Sequence, residues 1–218
     1  MKKAIIVGAT GLIGRYLLDF ILQSEDYDRV TALVRSPIMV KSKKLTFIET
    51  DFKKLDGLNP EINGDCLFIC IGSTMSKAGS KEAFLKIDYD IPVDIASIAH
   101  KNGVQKCIVV SSLGADANSS NFYLHTKGKM EQALEKLGFN NTVFMRPSLL
   151  FGARNEFRFG ELIGKFFMKI IGPLFLGPLK KYKGIEAKTV AKAMLIASIQ
   201  PNSGIKKYES NEIELLVK

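Results

Sequence analysis

"KAIIVGATGLIGRYLL", residues 3–18, decides how this chain is to be read. A short β-branched run, "KAIIVGA" (3–9), ends in glycine, and "LIGRYLLDFILQ" (12–23) follows with apolar residues spaced three and four apart. The first pattern predicts a strand and the second a helix. Gly8, Gly11 and Gly14 lie in the turn between them. Glycine permits a tight turn, close approach of backbone to a pyrophosphate and close packing of helix on strand. The helix N-terminus adds unpaired N–H groups and the positive end of a dipole. A glycine trio is a weak signal alone and a strong one at a first strand–turn–helix. The stretch Gly8, Ala9, Thr10, Gly11, Leu12, Ile13, Gly14 and Arg15 is therefore expected to cradle a dinucleotide phosphate.

Outward from this turn, apolar runs alternate with helical patterns. Strands are expected at "RVTALVR" (29–35), "KLTFIET" (44–50), "DCLFICIG" (65–72), "QKCIVVSS" (105–112) and "NTVFMRPS" (141–148). Helices are expected at 80–103, with Pro92 as a kink and Asn102-Gly103 as a stop, at 122–138 ending on Gly138, and at 187–200. "NEIELLV" (211–217) reads as a last short strand. Strands apolar on both faces belong in a parallel sheet covered by helices. The alternation predicts an α/β doubly wound, mostly parallel sheet, a Rossmann fold, as one domain over 1–218 with a small C-terminal substrate-side region. The rhythm breaks over 149–184, which is apolar, basic and punctuated by Gly172-Pro173 and Gly177-Pro178. The part from Phe157 to Leu179 is a candidate lining for a lipophilic pocket, with a dimer contact or membrane-surface patch as competing readings.

Composition narrows the function. Apolar residues make up 46% of the 218, ample for a core, and no long uncharged apolar segment predicts a membrane span. The net charge of +9 raises the question of nucleic acid, but the lysines are scattered and lack interleaved aromatics, so nucleic acid is not expected as the primary partner. Cys66, Cys70 and Cys107 cannot all pair and sit in or beside apolar runs, which suggests small buried residues in a reducing compartment; the expectation is cytoplasmic. The two histidines, His100 and His125, are not at ligand spacing from a cysteine, so no metal site is expected.

The second strand of a dinucleotide-binding unit normally ends in an acid that binds the ribose 2′-hydroxyl, about 20 residues on from the glycines. Here Arg35 stands there. Arginine cannot accept from a hydroxyl but pairs with a 2′-phosphate. NADP(H) is thus preferred, with NAD(H) possible, and Arg15 is a second candidate phosphate partner. Asp51 and Phe52 follow the third strand and are placed to reach the adenine. Ile71, Gly72 and Ser73 follow the fourth, where glycine lets the cofactor ribose pass close. Pro147, after the sixth strand, is a candidate wall near the nicotinamide.

"NFYLHTKGKM" (121–130) puts Tyr123 and Lys127 one helical turn apart on one face. With the GxxGxxG spacing, and with Ser111-Ser112 closing the fifth strand, this resembles the short-chain dehydrogenase/reductase superfamily. "CIGST", "KAGSKEAFLKIDYD", "VVSSLGADANSSNFYLHTKGKMEQAL" and "RPSLLFG" are similar to the atypical reductases related to the Tat-interactive protein oxidoreductase. The resemblance implies that Tyr123 is a general acid. Lys127 would lower its pKa and hold the nicotinamide ribose, and Ser112 or Ser111 would hydrogen-bond the substrate oxygen. Two departures stand out. Ser112 precedes Tyr123 by only 11 positions and Ser111 by 12. Asp88 occupies the place where many members carry an asparagine of a proton relay, and a carboxylate donates only when protonated. The expected function is an NADPH-dependent oxidoreductase acting on a small or lipophilic carbonyl substrate, with a homodimer possible. The alternative is a cofactor-binding sensor or scaffold with little turnover.

Overall fold

A computed structural model describes residues 2–53, 55, 60–151, 184–201 and 203–218. The strands are β1 (Lys3–Val7), β2 (Arg29–Val34), β3 (Leu45–Glu49), β4 (Cys66–Ile69), β5 (Lys106–Val110), β6 (Asn141–Arg146), β7 (Leu150–Phe151), β8 (Ile185–Glu186) and β9 (Gly204–Glu209). Seven of them form one sheet in the order β3-β2-β1-β4-β5-β6-β9, every neighbouring pair parallel. β7 and β8 form a separate parallel pair. The helices are α1 (Leu12–Gln23), α2 (Met75–Ala78), α3 (Lys81–Leu85), α4 (Ile91–Lys101), α5 (Phe122–Leu137), α6 (Ala187–Ile199) and α7 (Ser210–Leu216).

The side-chain period of two in β1 divides the core. Ala4 and Ile6 pack with Leu17 and Ile21 of α1 and Met194 of α6 on one face. Ile5 and Val7 pack with Ile95 of α4 and Leu134 of α5 on the other. Chain order reverses where β1 lies between β2 and β4. A crevice opens at the carboxyl ends of the strands at such a switch point. The turns after β1, β2, β3, β4, β5 and β6 carry the residues singled out in the sequence, and parallel pairing brings all of them to that edge.

Two expectations change. The helix expected over 80–103 is divided. Ser80 caps α3 by accepting from Ala83 N at 3.1 Å, and a single π-helical turn (Lys86–Asp90) joins α3 to α4. Pro92 sits in the first turn of α4 and has no N–H to give the carbonyl four residues back, so the ladder widens ahead of it. The strand expected at 211–217 is helix α7, and the last strand is β9 instead. Glu209 and Glu212 form a reciprocal capping box, and Ile213 with Leu216 and Val217 packs on the core at helical spacing. β9 was hidden because Lys206 and Lys207 interrupt it at the sheet edge.

Cys66, Cys70 and Cys107 are all free thiols. Among the described residues no helix is long and apolar enough to cross a membrane. Most of the segment 149–184, including Phe157 to Leu179, lies outside the described residues.

Candidate active site

At the first turn, Gly8 has φ +84°, and a Cβ there would lie 2.7 Å from the backbone of Cys70 and Ile71 at the end of β4. A Cβ on Gly14 would lie 2.0 Å from the Gly8 carbonyl oxygen, so α1 is seated directly on the turn. Ala9 and Ile13 are buried, whereas Thr10 and Arg15 are exposed. The N-terminus of α1 at Gly11 has no side-chain cap and no acidic residue in its first turn. An uncapped, positively polarised helix end behind a turn too tight for side chains fits a dinucleotide pyrophosphate.

Arg35 is exposed just beyond β2, which pairs with β1 up to Val7↔Leu33, so it flanks the same turn. The Arg15 guanidinium lies 5.1 Å from the Tyr16 ring centroid. After β3, Asp51 is exposed, accepts from Lys53 N at 2.9 Å and pairs with Lys53 Nζ at 3.5 Å; hydrogen bonding to that backbone holds its carboxyl below the usual value. Phe52 is buried at φ 60°, the one non-glycine residue in the left-handed region among the described residues. Phe52 N donates to Thr50 Oγ1.

The second half of the site is built on α5. Asn121 caps it by accepting from Leu124 N at 3.1 Å, and Gly138 ends it at φ +80°. Gly128 presses the helix onto the loop after β5: a Cβ there would lie 2.1 Å from Ala117 N. This packing brings the Tyr123 phenol beside the Ser112 hydroxyl, which itself donates to the Leu113 carbonyl at 3.3 Å. Phe84 of α3 stacks on Tyr123 with centroids 5.7 Å apart.

Lys127 is buried, and its Nζ lies 2.8 Å from Asp88 Oδ1, a carboxylate with no exposed surface. Asp88 Oδ2 accepts from Ser73 N at 2.7 Å. Gly72 roofs the pair: a Cβ on it would lie 3.2 Å from Asp88 Oδ1 and 3.6 Å from Lys127 Nζ. Gly72 is exposed, so the ion pair sits directly beneath the crevice edge. Burial raises the Tyr123 pKa; Lys127 pulls it down, Asp88 pushes it up again, and Ser112 lowers it, leaving it above the ordinary phenol value. Lys127 thus acts on the phenol in the direction the resemblance implied, and burial, seconded by Asp88, outweighs it. Burial would lower the Lys127 pKa, but Asp88, then Tyr123, outweigh it and hold the ammonium above its usual value.

Ser111 does not face Tyr123. Its hydroxyl donates to Glu131 Oε1 at 2.5 Å. Glu131, 1% exposed, also receives Arg146 through Nε at 2.9 Å and Nη2 at 2.5 Å, with Lys207 Nζ at 3.5 Å. Arg146 further donates to the Ala115 carbonyl at 3.1 Å. Pro147 is buried, and its carbonyl accepts from Leu113 N, tying the ends of β5 and β6 together. His125 is half-buried on another face of α5. Sequence reasoning missed the Asp88–Lys127 pair, Glu131 and Gly128. A glycine inside a helix costs about 1 kcal/mol relative to alanine, and "KGK" in an otherwise strong helical pattern was the one local signal of a close approach.

Comparison with known proteins gives the family and the fold. A family model described as NAD(P)H-binding matches residues 8–167. The chain belongs to this NAD(P)H-binding family. Among its relatives is the mitochondrial protein FMP52 of Debaryomyces hansenii, 32% identical over 99% of this chain and 98% of the relative. Another is the rat protein HTATIP2, the Tat-interactive protein, 35% identical over 93% and 84%. The fold is shared with the Bordetella bronchiseptica enzyme WbmH in complex with NAD+, at TM-score 0.73, 19% identity and coverage of 97% and 77%. It is shared also with the UDP-Glc/GlcNAc 4-epimerase of Campylobacter jejuni, at TM-score 0.72, 14% identity and coverage of 99% and 82%. The cytoplasmic expectation is overturned: several fungal relatives are named as mitochondrial proteins. Free thiols do not single out the cytoplasm.

Proposed function

We propose that the chain is an NADPH-dependent reductase of a small or lipophilic carbonyl compound. The observation that carries this reading is the Tyr123 phenol, beside Ser112 and one turn from Lys127, at the crevice edge that also holds the glycine turn. The nicotinamide cofactor, when bound, supplies the hydride that reduces the carbonyl carbon. Tyr123 gives its hydroxyl proton to the carbonyl oxygen as that oxygen takes up the electron pair of the broken π bond, and the phenolate is then reprotonated from solvent. Ser112 orients the same oxygen. Lys127 retains two N–H groups beyond the one facing Asp88, and these reach for the ribose hydroxyls. Gly8, Gly11 and Gly14 admit the pyrophosphate, and Arg35, helped by Arg15, pairs with a 2′-phosphate. Ser111 has a structural place with Glu131 and is not assigned a part in the chemistry.

The test is NADPH oxidation against a panel of aldehydes, ketones and quinones, with wild type and Tyr123→Phe side by side. The reading expects turnover that falls by about 10²–10⁴ in the variant, with NADPH binding retained. Tight NADPH binding with equal turnover in both proteins contradicts it. Tight binding with no turnover on any compound favours the sensor reading.

A further inference from the structure

The Asp88–Lys127 pair is the feature of this site that the proposed reaction does not by itself require. We infer that Asp88 is a positioning residue of the proton-transfer site: it ties Lys127 to the turn after β4 and cancels the ammonium's charge, so that the site keeps Tyr123 as the neutral phenol that donates a proton. This inference rests on the reading of Tyr123 as the acid.

The geometry supports each part. Asp88 has no exposed surface and divides its two oxygens, Oδ1 to Lys127 Nζ at 2.8 Å and Oδ2 to Ser73 N at 2.7 Å. It is carried on the π turn ahead of Pro92, a local widening of the helix with an identifiable cause. Gly72 leaves just enough room above the pair, since any side chain there would press on Asp88 Oδ1. The carboxylate thus links the turn that borders the crevice to the lysine beneath it.

The charges facing Tyr123 are Lys127 from its own helix and Asp88 from the π turn, with the Ser112 hydroxyl from the loop after β5. Those facing Lys127 are Asp88, Tyr123 and Glu131, and Glu131 is itself satisfied by Arg146 from β6 and Lys207 from β9. An isolated lysine beside the phenol would favour phenolate; a lysine paired with a buried carboxylate offers little net charge. Carbonyl reduction uses the phenol. Alcohol oxidation needs the phenolate as base, and Asp88 confines that direction to alkaline pH.

The experiment is a ¹³C-tyrosine NMR titration of the protein, with the Tyr123 resonance assigned by its loss in Tyr123→Phe. Turnover is not needed for this readout, so the catalytic reading and the role of Asp88 fail separately. In Asp88→Asn, which keeps an oxygen for Ser73 N but loses the charge, the Tyr123 midpoint is expected to fall by about 1–3 units. The alkaline limb of reductive kcat/KM shifts downward with it. The double variant Asp88→Asn/Lys127→Gln leaves no buried charge and serves where the single one does not fold. Cancellation predicts that its Tyr123 titrates within about one unit of wild type. A Tyr123 midpoint unmoved in folded Asp88→Asn overturns the inference. So does a midpoint in the double variant well above wild type, which means that Lys127 acts uncancelled.

Discussion

Two buried ion pairs ride on α5 one turn apart, and they are built differently. Glu131 is closed: Arg146 grips both of its oxygens, Ser111 and Lys207 add to them, and Arg146 spends a further donor on the Ala115 carbonyl. Lys127 is open: Asp88 is its one ion-pair partner among the described residues, and the pair lies beneath an exposed glycine at the crevice edge. A buried charge with all its partners inside the protein fastens elements together, here β5, β6, β9 and α5. A buried charge with donors left over beside a crevice has capacity for a ligand. The same helix face thus supplies a fastening at Glu131 and, on the proposed reading, a reactive pair at Tyr123 and Lys127.

The sharpest way to break the comparison is to open the closed pair. Glu131→Ala strands the Arg146 guanidinium and is expected to cost about 3–5 kcal/mol of stability, read by urea or thermal unfolding. Replacing both partners, as in Glu131→Leu/Arg146→Met, should recover much of that loss, because removing a buried pair together costs far less than orphaning one member. An unchanged melting temperature in Glu131→Ala would mean that this pair fastens nothing.

At the opposite end of the crevice the proposed 2′-phosphate partner, Arg35, is exposed. Arg35→Asp is expected to weaken NADPH by about 1.5–3 kcal/mol relative to NADH, read by titrating both cofactors. Equal changes for the two would remove the 2′-phosphate from the account. Gly128→Ala should destabilise by about 1–3 kcal/mol, although alanine is the better helix former, because its Cβ would press on Ala117 N. A stabilised variant would show that α5 has room to lift off the loop.

A further effect is alkaline. Burial pushes the Cys66 thiol up to about 12 and Cys107 well above its usual value. Folded pKa values above the unfolded ones contribute stability that is fully present below the unfolded value. For Cys66 that stability is lost as pH rises from about 9 toward about 12. The melting temperature should decline over this window, and less steeply in Cys66→Ala once the two are compared as differences from neutral pH.

The contrast along α5 also shows what a sequence can disclose. Gly8, Gly11 and Gly14 are legible because the turn's demands are local: one strand, one helix and no room for side chains. Tyr123 and Lys127 are legible because a helix places positions four apart on one face. Their partners are not. Asp88 comes from a π turn on a different helix, and Arg146 from a strand after α5, so nothing in the local pattern announces either. For the same reason Ser111 and Ser112 looked interchangeable: in an extended chain neighbouring side chains point to opposite faces, and only packing shows which face holds Glu131. At the C-terminus, "NEIELLV" alternates enough to read as a strand, and the Glu209–Glu212 capping box decides for helix.

Turnover per folded molecule in Lys127→Met and Arg146→Met, measured as NADPH oxidation with the folded fraction fixed by unfolding curves, tests the account most directly. Each variant removes the cation of one pair. The account predicts that Lys127→Met loses at least about 10² in rate, whereas Arg146→Met loses stability and keeps its rate to within a few-fold. An Arg146→Met protein that is folded and as inactive as Lys127→Met would contradict the division of α5 into a reactive pair and a fastening.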